Sequence, residues 1–263
     1  MKSPESARIH LIPAKNVPLT LVLRQKPSKV FHVFLWNTAI DHLEPGSRFA
    51  GTLHVEECDL SFDGKWMLYA AIGGDGEAWS GLCQPPYLRT VADGRHAPGI
   101  GGGGWVSEKQ LCVGNWEIPQ GVCPYEVKSF AEHNQVNDDV CHGLGFLQTR
   151  LRRDGWKRIP AALETQHIYG RDVVVKDQLT SQPANNLPKL HMIIDADKRK
   201  RYTFQLDGYP DLVDEKVSWA NWDCNDNLIV ARLGVLYRFD FQAIQKKTPT
   251  FKLDLENYVK NKK

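Results

Sequence analysis

A chain of 263 residues, 42% hydrophobic and 24% charged, is ordinary globular material with enough apolar residues to bury a substantial core. Its 33 Lys and Arg stand against 31 Asp and Glu, a formal net charge of +2, so it lacks the strong field that nucleic acid or an anionic membrane would demand. Eight Trp, eight Tyr and ten Phe favour strands over helices.

The opening stretch, MKSPESARIHLIPAKNVPLTLVL, holds no apolar run ahead of a small-residue cleavage site, so no secretory signal is expected. Nowhere does the sequence approach the ~18 uninterrupted apolar residues of a membrane span. Cys58, Cys83, Cys112, Cys123, Cys141 and Cys224 are widely spaced, with no CxxC pair. They are expected to be free, largely buried thiols in a cytoplasmic protein. Residues 1–16 read as an N-terminal extension and residues 17–263 as one domain.

Helical periodicity is nearly absent, with marginal exceptions at Val127 to Val136 and near the C-terminus. Short apolar runs cut by turn residues recur instead. LTLVLRQ (19–25) and VFHVFLWN (30–37) predict two strands joined by Lys26-Pro27-Ser28-Lys29, the second apolar on both faces and therefore covered on both. Asp63-Gly64 marks a hairpin between CDLSF and KWMLYAAI, and strands over Glu77 to Cys83 and Tyr87 to Ala92 continue the meander. GFLQTRLRRDGWKRIP reads as two more strands around Asp154-Gly155. His191 to Asp195 and Tyr202 to Leu206 form a hairpin with Lys198 to Arg201 near its tip. Ser218 to Phe241 gives three strands with turns at Asn225-Asp226-Asn227 and Leu233-Gly234, and Phe251 to Tyr258 adds a closing strand or short helix.

Units of three or four strands recur at roughly the 40–50 residues of a propeller blade. CDLSFDGKWMLYAA resembles the strand-turn-strand core of TolB-type and WD-like propeller repeats, with Phe62 where that family prefers Pro, and NWDCNDNLIVARLGVLYRFD is similar to the same unit. Together with Pro85-Pro86-Tyr87, GGGGWV is similar to an uncharacterised bacterial propeller family. The expectation is an all-β propeller of about five small blades, with four to six allowed.

GIGGGGWVSEKQLCVG, Gly99 to Gly114, invites a phosphate-loop reading. Such a loop needs a terminal Gly-Lys-Ser/Thr and a following helix, whereas Gly104 runs into Trp105-Val106-Ser107, a Glu108-Lys109 turn and another apolar run. The glycines therefore read as a packing device at the entrance to a strand. Cys123, His133, Cys141 and His142 lack the two- to four-residue pairing of a zinc knuckle, so no metal and no cofactor is expected.

With no GxSxG, HExxH or supported Ser-x-x-Lys, no residue is assigned as catalytic. Asp138-Asp139, Asp211, Asp214 and Glu215 read as solvated loop carboxylates. Arg150, Arg152, Arg153, Lys157 and Arg158, and Lys198 to Arg201, read as charge at hairpin edges. The expected function is a non-catalytic protein-interaction or regulatory module, with loop aromatics such as Trp116 or Tyr209 as anchors. One alternative is a hydrolase or lyase using carboxylates or histidines in the central funnel; three or more titratable groups converging there favour it, and a sealed funnel opposes it. The other is a nucleic-acid-contacting accessory protein using the Arg/Lys clusters.

Overall fold

The computed structural model describes residues 6–96, 101–129, 145–168, 171–195 and 202–260, and they form five small sheets arranged as a five-bladed β-propeller. Blade 1 is the antiparallel meander β1 (Arg8–Pro13), β2 (Leu19–Gln25), β3 (Val30–Asn37) and β4 (His42–Ala50). In blade 2 the two-residue strands β5 (Thr52–Leu53) and β6 (Asp59–Leu60) share β7 (Met67–Ile72), which continues to β8 (Ala78–Cys83) and β9 (Thr90–Arg95). Blade 3 holds β10 (Gly103–Trp105), β11 (Gln110–Val113) and β12 (Glu126–Ser129), the last running parallel to its neighbour. Blade 4 combines β13 (Lys157–Arg158) and β14 (Glu164–Ile168) on β15 (Arg171–Ser181), followed by β16 (Leu190–Asp195) and β17 (Tyr202–Leu206). Blade 5 is β18 (Val217–Trp222), β19 (Leu228–Arg232), β20 (Val235–Phe239) and β21 (Phe251–Asp254).

Residues 8–13, expected within an N-terminal extension, instead form β1, a full partner of β2 from Arg8↔Gln25 to Pro13↔Thr20. The reason is its composition: Ile9, Leu11 and Ile12 are buried, and β1 packs against β18 and β19 of the last blade. Blades 1 and 5 are each built from one continuous stretch of chain, so side chains close the ring. Ser218 Oγ accepts the Ile9 N–H (3.2 Å), Arg238 Nη2 donates to Asp41 (2.8 Å), and the Trp36 and Phe251 rings lie 5.2 Å apart. A short C-terminal helix, Leu255–Lys260, adds Glu256, which accepts from the Ala7 N–H, Arg24 and Lys26.

The stretch expected as strands around Asp154-Gly155 begins instead with an α-helix, α1 (Gly145–Arg153). Its Leu147 and Leu151 are one turn apart and both buried, a helical stripe that Gln148 and three arginines, all good helix formers, support. Gly155 then adopts φ +90 as a helix stop: Trp156 N–H reaches Leu151 O (2.9 Å) and Gly155 N–H reaches Arg152 O (3.1 Å), the Schellman pattern. Asp-Gly therefore ends a helix here and turns a hairpin at residues 63–64.

Gly103 and Gly104 lie in β10, paired with Val113 and Cys112, and the turn at Glu108-Lys109 leads into β11, so the described part of the glycine run enters a hairpin. Gly102 has φ +78, and a Cβ there would stand 2.5 Å from Glu57 Cβ. Gly99, together with the neighbouring Ile100, lies outside the described residues. Replacing Gly102 by Ala should cost about 2 kcal/mol or more in urea unfolding, because left-handed strain adds to the clash. The control is Gly76→Ala, with φ +88 but open space around the added methyl. It should cost only the strain, about 1–2 kcal/mol; equal losses at both positions would remove the packing role.

Candidate functional site

The starts of the inner strands β1 and β18 meet the Thr52–Glu56 stretch and the start of β17 around a central cavity of about 690 Å³. Arg8 and His10 come from β1, His54 and Glu56 from the turn after β5, Tyr202 from β17, and Lys216, Val217 and Ser218 from the entrance to β18. Leu233 stands at the rim, 46% exposed, at the Leu233-Gly234 turn between β19 and β20. Both turn residues have positive φ, the type I′ geometry of a two-residue hairpin.

Trp219 of β18 organises the wall. Its ring lies 5.2 Å from His10, 5.3 Å from Tyr202 and 5.5 Å from Phe204, so three strands converge on one indole. Tyr202 OH donates to Glu56 Oε1 at 2.7 Å. Burial drives the His10 imidazole down to about 4; Glu56 pulls it up, and Arg150 and Arg8 push it further down. His10 is neutral at pH 7. Burial also lowers His54, with Glu56 opposing and His96 adding to the effect.

Beside the cavity a second polar cluster underlies the glycine run. Ser80 Oγ and His96 Nε2 are 2.7 Å apart, and Gly102 N–H donates to Ser80 Oγ at 2.5 Å. Ser80 is 0% exposed, and this serine-histidine pair holds the loop against β8. Glu57 lies against Gly102, with its carboxyl pushed up to about 7 by burial first and Glu56 second. Cys58 and Cys83 are buried thiols pushed up to about 12, chiefly by desolvation, and hence unreactive near neutrality.

The sequence-derived candidates are dispersed. Trp116, expected as an exposed anchor, is buried, with its Nε1–H donating to Gly102 O (2.7 Å); Tyr209 packs on the core cluster shared by blades 1, 4 and 5. The cluster at residues 150–158 forms no patch: Arg150 and Arg153 are buried on α1, and Arg158 pairs with Asp177 (2.9 Å). Asp211 pairs with Lys247 and Asp214 with Arg232, while Glu215 lines the cavity. Cys112 is buried, and Cys123 and Cys224 are half-buried free thiols. Asp138, Asp139, His133, Cys141, His142 and Lys198 to Arg201 lie outside the described residues. Among the described residues no three His, Cys, Asp or Glu side chains cluster as metal ligands, and no helix is long and apolar enough to cross a membrane.

These features define a five-bladed β-propeller with a charged central cavity. No family model matches the chain, and no curated protein matches it. Among solved structures it is similar to an uncharacterized protein of Listeria monocytogenes EGD-e, with 11% identity, a TM-score of 0.33, and coverage of 92% of this chain and 81% of that one. It is also similar to the β-propeller domain of the Trilobed protease from Pyrococcus furiosus (12% identity, TM-score 0.31, covering 90% and 83%). A third likeness is to the WD40 domain of SCAP from fission yeast (8% identity, TM-score 0.25, covering 96% and 67%). Identities this low concern fold alone, and the blade count rests on the sheets themselves.

Glu57 generates a pH prediction. A carboxyl raised from its ordinary 4.5 to about 7 keeps its proton longer in the folded state, so stability falls as pH rises through that window. His10, lowered to about 4, works in the opposite sense below 6.5. Comparing Glu57→Gln with the parent cancels the histidine. The variant should gain on the parent between pH 5 and pH 8 by a few kcal/mol at most, from about 1.4 kcal/mol per pH unit. Parallel urea-unfolding profiles would refute the assignment.

Proposed function

We propose that this protein is a non-catalytic interaction module whose central cavity receives a segment of a partner protein. The observation that carries the reading is the cavity itself, about 690 Å³ with a mixed lining: Phe31, Leu53, Val55 and Val217 supply apolar surface, and charged groups surround it. Its polar groups already hold the scaffold together. Ser218 Oγ stitches β1 to β18, Glu56 accepts from Tyr202, and His10 Nδ1 is buried with no partner to orient the ring as a base. A standard interface takes roughly 800 Å² per partner, so on this reading contacts extend from the cavity onto the surrounding rim. The TolB-type likeness of CDLSFDGKWMLYAA, and that of GGGGWV to a bacterial propeller family, belong to the same proposal, as does a cytoplasmic setting suggested by the free thiols.

The convergence of His10, His54, Glu56 and Tyr202 is the observation that favours a second reading, a hydrolase or lyase working in the same cavity. One experiment separates the two. The tagged full-length chain is used to capture a stoichiometric partner, and binding is remeasured with Leu233→Asn. Asn tolerates the left-handed φ of +52, so the melting temperature should hold or rise while affinity falls about tenfold through lost apolar contact. If no partner is retained through Leu233, and the purified chain turns over a substrate in a manner lost with Glu56→Gln, the enzyme reading replaces the interaction reading.

A further inference from the structure

The central cavity carries two cations at its mouth, and one of them, Lys216, has its backbone N–H on Asp214 Oδ1 and its charge near that carboxylate. Arg8 and Lys216, both exposed at its mouth, make no ion pair and no side-chain hydrogen bond among the described residues. Arg150, 4% exposed, lies close enough to His10 to shift its titration, and donates only to the carbonyls of Val55 and Cys58. The nearby carboxylates are engaged elsewhere: Glu56 accepts from Tyr202, Asp214 grips Arg232 at 3.0 and 2.5 Å, and Glu256 holds Arg24 and Lys26. Glu215, on the same rim, has an interaction of its own. The donors left over are cationic.

A buried guanidinium satisfied only by peptide carbonyls keeps its full charge and raises the potential of the space above it. His10 and His54, held largely neutral by burial, add imidazole nitrogens to the same wall without adding charge. Such a site rewards an anion. The Arg8 fork suits the two oxygens of a carboxylate, while the apolar surface around Leu53, Val55 and Val217 suits the chain that carries it.

We infer that the segment taken by the central cavity is acidic, presenting a side-chain or C-terminal carboxylate to Arg8 and Lys216 above the buried Arg150. The inference rests on the reading of this cavity as the binding site and adds the chemistry of its ligand.

The test is a display library of random heptapeptides with free C-termini, selected on the immobilised full-length chain and counter-selected on Leu233→Asn. Binders that depend on Leu233 should be enriched in Asp and Glu, or in a required free C-terminus, over the starting library. Individual peptides should lose about tenfold or more in affinity with Arg8→Gln or Lys216→Gln, as expected when a charge-assisted contact is removed. Both positions are exposed, and unchanged melting temperatures will confirm that the variants fold. Leu233-dependent binders with no acidic bias, or indifferent to both substitutions, overturn the inference and leave the interaction reading intact. A library that yields no Leu233-dependent binder removes both. Inorganic phosphate binding with the same Arg8 dependence, in the absence of any peptide binder, marks a simple anion site and overturns the peptide assignment.

Discussion

Arg153, at the end of α1, is the contact on which the geometry around blades 2 and 3 depends. Its guanidinium reaches Asp59 Oδ2 at 2.7 Å and Asp154 Oδ1 at 2.9 Å, and sits 5.2 Å from the centre of the Phe62 ring. Asp59 in turn accepts the Trp105 N–H at 2.8 Å and the Leu60 N–H at 2.8 Å. One buried cation thus ties a helix to the inner strands of two blades. Its desolvation is costly and is repaid by two carboxylates and a ring face. Removing Arg153 leaves two buried carboxylates without their cation, a loss of roughly 3–5 kcal/mol in comparable buried pairs.

The same anchoring delivers Arg150, one helical turn earlier, beneath the central cavity. Arg153 fixes the helix against Asp59, and Arg150 then reaches the carbonyls of Val55 and Cys58 on the stretch that carries His54 and Glu56. The position of Arg150 near the cavity therefore depends on the ion pair that seats the same face of the helix. Trp219 plays the apolar counterpart, collecting His10, Tyr202 and Phe204 from two other strands. Helix and indole hold their polar groups by burial, which is why His10 and His54 titrate low and Glu57 titrates high.

Much of the fold was legible because strand signals are local. LTLVLRQ and VFHVFLWN form β2 and β3 at the expected bounds, and the Leu233-Gly234 turn closes a hairpin in blade 5. Asp-Gly failed as a signal at residues 154–155 because the same φ > 0 glycine serves a type I′ turn and a helix C-terminus, and the preceding sequence decides between them. Leu147 and Leu151 carried that information. The first strand was missed because Lys15, Asn16 and Pro18 look like the end of a tail, whereas the burial of Ile9, Leu11 and Ile12 comes from β18 and β19, some two hundred residues away in sequence.

The site was not legible, for a related reason. Its residues come from positions 8–10, 52–56, 202 and 215–218, and no motif spacing links them. The strongest motif in the sequence, the glycine run, belongs to packing, because Gly102 sits against Glu57 where no side chain fits. Of the carboxylates singled out in the sequence and described here, only Glu215 reaches the cavity; Asp211 and Asp214 are spent on Lys247 and Arg232. What decides the chemistry of the cavity is an imbalance visible only in three dimensions. Among the described residues Arg8 and Lys216 make no ion pair, while Glu56 and Glu256 hold the scaffold in place. That imbalance is the ground on which we infer an acidic ligand.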